Sequence, residues 1–287
     1  MSKCKICGSA SNKVFDTKVI GRYKVDYFQC VSCLFIQTEE PFWLKEAYES
    51  AMTALDIGLV SRNIEFSQTI PPLLDMFSNG NDAFIDYGGG YGLFVRLMRD
   101  IGFNFYLYDT YAQNLYAKHF EISDYTEEKK FTCLTAFEVF EHLEDPHKEI
   151  KEMFKLSDTI IFSTMLQPQT KITSPNDWWY FVPEVGQHIS LFSFQSLSVL
   201  SEQYKYSLYT NGTNLHVLSK VQLSKNPFES KENPSRSLIS RGLSRIFGTN
   251  VSADGQISNK RHSLLAKDLE LYRQKLQDSF LNERTDG

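Results

Sequence analysis

The sequence predicts an α/β fold, a mostly parallel sheet with helices on both faces and a C-terminal antiparallel hairpin, preceded by a small cysteine-bearing module. Three observations predict it. Between residues 82 and 222 short apolar runs alternate with amphipathic stretches of helical length. A glycine-rich turn, "FIDYGGGYGLF" (84–94), joins one such run to one such helix. Two Cys-x-x-Cys pairs, Cys4/Cys7 and Cys30/Cys33, bracket a hairpin pattern near the start of the chain.

Taken in order, residues 1–40 hold the paired cysteines around "KVFDTKV" and "YKVDYFQ", two alternating strand patterns with Gly21 at the turn. Four thiolates in this arrangement suit tetrahedral Zn²⁺ in a zinc ribbon. A closed four-cysteine set is structural, with no open position for chemistry, and a module this small needs such a staple. Residues 41–81 read as a helical connecting segment that Pro41 opens and "PPLLDMFSNG" ends.

From 82 to 222 the strands are "AFIDY", "FYLYD", "FTCLTA", "TIIFST", "YSLYT" and "LHVLSK", the last two joined by the hairpin signal "NGTN". The helices between them are "GLFVRLMRDIG", "DPHKEIKEMFKL" and "SFQSLSVLSEQYK", the last capped at Ser193. Residues 223–287 form a polar tail ending in a helix. Its Leu265, Leu269, Tyr272 and Leu276 predict docking on its own domain, two heptads being too few for a coiled coil.

A hydrophobic content of 42%, a charged content of 23% and a net charge of −5 describe a globular chain, not a general nucleic-acid or membrane-surface binder. Arg236, Arg241 and Arg245 make only a small basic patch. With no apolar signal region and no bilayer-length apolar run, the expected location is cytoplasmic. There, paired cysteines favour metal over disulfides, and the sequons at Asn211 and Asn250 carry no weight. Cys133, inside a strand, reads as a buried thiol.

The glycine spacing selects the ligand. G-x-G-x-x-G for a dinucleotide is absent, as is the Lys-Ser/Thr pair of a P-loop. What fits is Asp86-x-Gly88-x-Gly90-x-Gly92, with Gly89 inside it and an acid in front. Asp109 ends the next strand, where a carboxylate can accept both hydroxyls of a ribose. An acidic loop suits a ligand with a cationic centre and no pyrophosphate.

Across residues 82–220 these features resemble the class I S-adenosylmethionine-dependent methyltransferases, which have a Rossmann-like sheet. The resemblance implies that Asp86, Gly88, Gly89, Gly90 and Gly92 serve the methionine part of the cofactor and Asp109 its ribose. It places Ala136, Phe137 and Glu138 close by. "TAFEVFEHLEDPHKEI" (135–150) is similar to the stretch after the fourth strand in methyltransferases related to the ubiquinone-biosynthesis O-methyltransferases.

Three roles compete for Glu138, Glu141 and His142. His142 is a general base for an acceptor hydroxyl, with His188 as the second candidate. Alternatively Glu138, Glu141 and His142 hold Mg²⁺ or Mn²⁺ with His188 as fourth ligand, an arrangement similar to that of small-RNA 2′-O-methyltransferases. Thirdly, the acids start a helix and satisfy its backbone N–H groups.

The aromatic stretch Trp178–Phe181 serves either an acceptor or the core. A leading zinc ribbon is similar to that of bacterial sugar-modifying methyltransferases, and "PFWLKEAY" and "DIGLVSRN" resemble the connecting segment of that group, which implies that Tyr48 or Arg62 reaches the cofactor or acceptor. The expected activity is methyl transfer to a hydroxyl of a small-molecule acceptor, a sugar or nucleotide-linked sugar. The alternatives are a sugar C-methyltransferase, a non-catalytic cofactor-sensing module recruited through its ribbon, an NAD-linked oxidoreductase and, against the overall acidity, a nucleic-acid methyltransferase.

Overall fold

A computed structural model describes residues 2–48, 55–229 and 261–285. The sequon at Asn250, the patch Arg236/Arg241/Arg245 and the Leu276 side chain lie outside the described residues.

Alternating apolar and polar residues build the first sheet. β1 (Ser2–Lys3), β2 (Ala10–Val19), β3 (Tyr23–Cys30) and β4 (Ile36–Thr38) pair in sequence, all antiparallel. Between β2 and β3 the chain turns on Ile20 and Gly21, both at positive φ (45° and 71°), the mirror-image turn whose twist matches paired strands. Val19, Val25 and Tyr27 point inward and are buried. The connecting segment then folds into α1 (Leu44–Ala47), α2 (Leu59–Thr69) and α3 (Pro71–Asp75), the last opened by prolines that fit a helix start.

The apolar runs that follow become β5 (Phe84–Tyr87), β6 (Phe105–Tyr108), β7 (Cys133–Phe137), β8 (Thr159–Ser163), β9 (Ser190–Leu191), β10 (Ser207–Thr210) and β11 (Leu215–Ser219). Between and after them lie α4 (Leu93–Asp100), α5 (Pro146–Leu156), α6 (Phe194–Tyr204) and α7 (Leu265–Thr285). The large sheet has the order β10-β11-β8-β7-β5-β6. Its β6, β5, β7 and β8 run parallel, whereas β11 is antiparallel to both β8 and β10. From β5 the chain goes first to β6 on one side and then to β7 on the other. Winding therefore reverses at β5/β7, which opens a crevice at their carboxyl ends.

β9 does not join the large sheet. It pairs antiparallel with β4, Ile36 opposite Leu191 and Gln37 opposite Ser190, and so completes the N-terminal sheet from far along the chain.

The final helix docks as expected, but not along the expected seam. Leu265 and Leu269 stay exposed (56% and 48%), while Asp268 is buried at 2%. Arg99 of α4 donates to both Asp268 oxygens (2.9 and 2.7 Å), and Arg96 pairs with the same carboxylate at 2.9 Å. Arg99 is itself buried, stacked over Phe120, and a buried guanidinium requires a charged partner. Of the expected apolar positions, Tyr272 packs against Phe120.

Candidate active site

β5 ends in Tyr87, and the next residues must turn at once into α4. Gly88, Gly90 and Gly92 do so with φ of 68°, 58° and 82°, where a side chain would be strained. Gly88 N–H donates to Tyr108 O (2.7 Å), tying the loop to β6. Gly92 caps α4, and a Cβ there would press on Asn114 and Ala117.

Asp109, just past β6, closes the loop from the other side. Its Oδ2 accepts from Gly90 N–H (2.9 Å), and its Oδ1 accepts from Tyr111 and Ala112 N–H (2.7 Å each). An ionised carboxylate has about four acceptor positions, so one remains for a ligand hydroxyl.

Asp86 lies beneath the loop at 2% exposure and accepts from Thr135 Oγ1 (2.6 Å). Burial, helped by the charge of Asp109, pushes its carboxyl up to about 7 from 3.8. Between those values the ligand-free folded protein holds a proton that the unfolded chain has lost. The contribution of Asp86 to stability therefore falls as pH rises through that window and is level above it. Asp86→Asn is expected to remove this contribution, so that between pH 5 and pH 8 the variant gains roughly 3 kcal/mol on the unsubstituted protein. Guanidinium unfolding midpoints at pH 5 and pH 8 check it; parallel pH profiles for the two proteins would refute the assignment.

Across the crevice the chain leaves β7 through Glu138, at φ 54°. Ser163 holds this bend: its hydroxyl accepts from Glu138 N–H (2.8 Å) and donates to Glu138 Oε1 (2.6 Å). Phe140–His142 then form a single 3₁₀ turn, so the three residues do not share one α-helical face. Glu141 is fully buried, and Tyr180 donates its hydroxyl to Glu141 Oε1 (2.6 Å) while Glu138 Oε2 lies 3.3 Å away. Among the described residues, Glu141 Oε2 is buried without a hydrogen-bond partner. Burial, then the neighbouring Glu138, pushes the Glu141 carboxyl up to about 8.

Two imidazoles face this carboxylate. His142 Nδ1 lies 3.1 Å from Gln187 O and from the Tyr48 hydroxyl, and His188 Nδ1 lies 2.6 Å from Tyr180 O. A carbonyl only accepts, so each Nδ1 is assigned the proton and each Nε2 the lone pair. The rings meet edge to face at 5.0 Å. One ligand atom from each of Glu141, His142 and His188 lies within 4.8 Å of the others. Burial pushes His142 down to about 3, reinforced by His188, and His188 down to about 4. Both rings are neutral at physiological pH.

A single cleft of about 1400 Å³ joins the two sides, lined by Gly88–Gly90 and Asp109 on one flank and by Glu138, His142 and His188 on the other. Phe137 also lines it, stacked on Phe66. Gly92, Ala136 and Glu141 stand behind the wall, Ala136 within the core. Tyr48 and Arg62 both reach the cleft.

The aromatic stretch divides. Trp178, Tyr180 and Phe181 are buried in a cluster with Phe15 and Tyr27 of the N-terminal sheet, whereas Trp179 is 71% exposed at the cleft. Sequence reading missed Gln187, Ser163 and the bridging role of Tyr180. Gln187 acts through its backbone carbonyl, which no side-chain pattern reveals.

The four cysteines also converge. Cys4 and Cys33 Sγ are 3.5 Å apart, Cys7 and Cys30 Sγ 3.3 Å, and all four lie within 4.8 Å of one another. A tetrahedron with Zn–S of about 2.3 Å has sulfur separations of about 3.8 Å, so the set fits. Backbone N–H groups of Ile6, Ser32 and Cys33 donate to Cys4 or Cys30 Sγ, stabilising thiolates.

A family model described as a methyltransferase domain matches residues 62–210, just over half of the chain. No curated protein matches. Among solved structures, an O-methyltransferase family protein from Burkholderia thailandensis is similar at 11% identity and a TM-score of 0.37, covering 62% of this chain and 67% of that one. The magnesium protoporphyrin IX methyltransferase ChlM from Synechocystis PCC 6803, with bound S-adenosylhomocysteine (SAH), gives 14% identity and 0.38, covering 61% and 92%. The plantazolicin methyltransferase BpumL in complex with SAH gives 10% and 0.39, covering 62% and 89%.

Proposed function

Because the chain belongs to the methyltransferase-domain family and is an S-adenosylmethionine-dependent methyltransferase, we propose that it methylates a hydroxyl of a small, ring-bearing acceptor such as a sugar or nucleotide-linked sugar. The observation that carries this reading is the juxtaposition within one cleft. The glycine loop and Asp109 face Glu138, His142 and His188, with space between for cofactor and acceptor. Exposed Trp179 offers an apolar face for the acceptor ring.

Gly88–Gly90 cradle the methionine part and Asp109 accepts from the ribose. The acceptor oxygen attacks the sulfonium methyl in line, and the S–CH₃ bond breaks with its electrons on sulfur, giving SAH. The hydroxyl proton passes to Nε2 of His188 or His142, whose Nδ1–H groups are anchored to carbonyls. Holding the partners in line supplies most of the rate. The four-cysteine cluster takes a structural Zn²⁺. Among the described residues no helix is long and apolar enough to cross a membrane.

A second reading has its own support. Histidines this hard to protonate are weak bases, but their Nε2 lone pairs and the orphaned Glu141 Oε2 suit a divalent cation, and Nδ1–H bonds to carbonyls commonly back metal-bound histidines. Such an ion on Glu141, His142 and His188 would supply Lewis acidity to the acceptor hydroxyl. Two imidazoles favour Mn²⁺ or a later ion over Mg²⁺.

The deciding experiment incubates the protein with cofactor carrying a deuterated methyl and a metabolite extract, and seeks labelled species by mass spectrometry. A labelled hydroxylated small molecule is expected; no labelled product despite SAH binding would overturn the proposal. Under the cation reading, mild chelation that spares the zinc should cut labelling about 100-fold, Mn²⁺ should restore it, and SAH affinity should hold. Undiminished labelling would leave the histidines as bases.

A further inference from the structure

We propose that the four-cysteine module is a positioning element for His188, linked to it through Gln37. The inference rests on the proposed acceptor-side role of His188.

Three sets of contacts carry it. First, the loop bearing His188 is built on the module and on Trp43 just after it. Phe181 packs edge-on against Phe15 and Tyr27 (5.0 and 5.5 Å), Ile20 N–H donates to Pro183 O (2.9 Å), and Trp43 Nε1 donates to Gly186 O (2.8 Å). Gly186 rests so closely on the β2–β3 turn that a Cβ would overlap Val19 and Ile20 (2.6 and 2.9 Å). Second, the residue after His188 is held from both sides. Thr38 N–H donates to Ile189 O (3.2 Å), and Ile189 N–H donates to Glu141 O (2.9 Å).

Third, Gln37 touches both ends of this connection. Its backbone is in register with Ser190 of β9. Its buried side chain accepts from Lys5 N–H (2.7 Å) and donates to Lys3 O (3.0 Å), the neighbours of Cys4 on either side. β4 and β9 are three and two residues long, too short to persist unless the module holds them. An ion held by the four thiolates would add its binding free energy to the folding of the module. The glycine loop, by contrast, is set by β5 and β6 in the other sheet. Loss of the ion should therefore loosen His188 before it disturbs the cofactor loop.

The test is hydrogen–deuterium exchange on the full chain in three states: metal-loaded, stripped with a thiol-competing chelator, and metal-loaded Gln37→Leu. Peptides spanning 183–192 are expected to exchange at least tenfold faster in the second and third states. Peptides spanning 84–100 should change less than twofold, and SAH affinity less than threefold. In ¹⁵N-histidine spectra His188 should lose its Nδ1–H signature while the Nε2–H signature of His216, buried in β11 and held by Thr164 O (3.0 Å), persists. An unchanged 183–192 segment in both altered states would overturn the proposal. So would parallel loss of protection at 84–100 and of SAH binding, which would make the cluster a staple of the whole fold. SAH binding by the untreated chain reports separately on the cofactor site.

Discussion

His188→Ala should lower the methyl-transfer rate by about 10²–10⁴ while leaving SAH affinity within twofold, the loss typical when a positioned proton acceptor is removed. The imidazole cannot be replaced by solvent in the same geometry. Its Nδ1 is fixed by Tyr180 O at 2.6 Å, and Tyr180 in turn gives its hydroxyl to Glu141. His142→Ala should be nearly as severe, because that ring anchors Gln187 O as well as facing the cleft. If both rings handle one hydroxyl, the double variant should be little worse than either single one. Turnover from the deuterated-methyl assay and SAH titration by calorimetry separate the two effects. Full activity in His188→Ala would move the proton elsewhere, and lost SAH affinity would make the ring a support of the cofactor.

The parts of this arrangement legible in the sequence are those fixed by neighbours along the chain. β5, β7 and β8 are almost wholly buried and read as continuous apolar runs. The positive φ values at 88, 90 and 92 fall on alternate glycines, so the spacing itself announced the loop. The illegible parts depend on partners far away. α7 looked like a leucine seam because periodicity sees only the helix; among its described side chains the buried one is Asp268, chosen by Arg99, 169 positions earlier. The EVFEH segment allowed an α-helical reading. The bend at Glu138 is instead held by Ser163, 25 residues on, so Glu141 turns into the core and His142 toward the cleft. β9, two residues long, has no pattern of its own and exists because β4 pairs with it.

Gly89 and Gly90 are adjacent, and their alanine variants should fail differently. At Gly89 a Cβ would fall on the Asp86 carboxylate and 2.6 Å from Leu107 Cδ1. Neither neighbour can yield: Asp86 is buried and bonded to Thr135, and Leu107 belongs to the core. The loop itself must shift, so Gly89→Ala should cost about 1–3 kcal/mol of stability as overpacking does, and SAH affinity should fall at least thirtyfold as the loop leaves its position beside Asp109. Gly90 has open space around its Cβ position, and the strain is its φ of 58° alone. Gly90→Ala should therefore cost only about 1–2 kcal/mol. Its added methyl lies on the cleft-lining loop next to the N–H held by Asp109, so SAH affinity should still drop about tenfold. Unfolding midpoints and SAH titrations on both variants decide the matter. Wild-type affinity in both would remove the loop as the cofactor cradle, since one variant moves its backbone and the other narrows its mouth. Lost affinity in Gly90→Ala at near-native stability would place the ligand directly against the glycine edge, because nothing in the protein competes for that space.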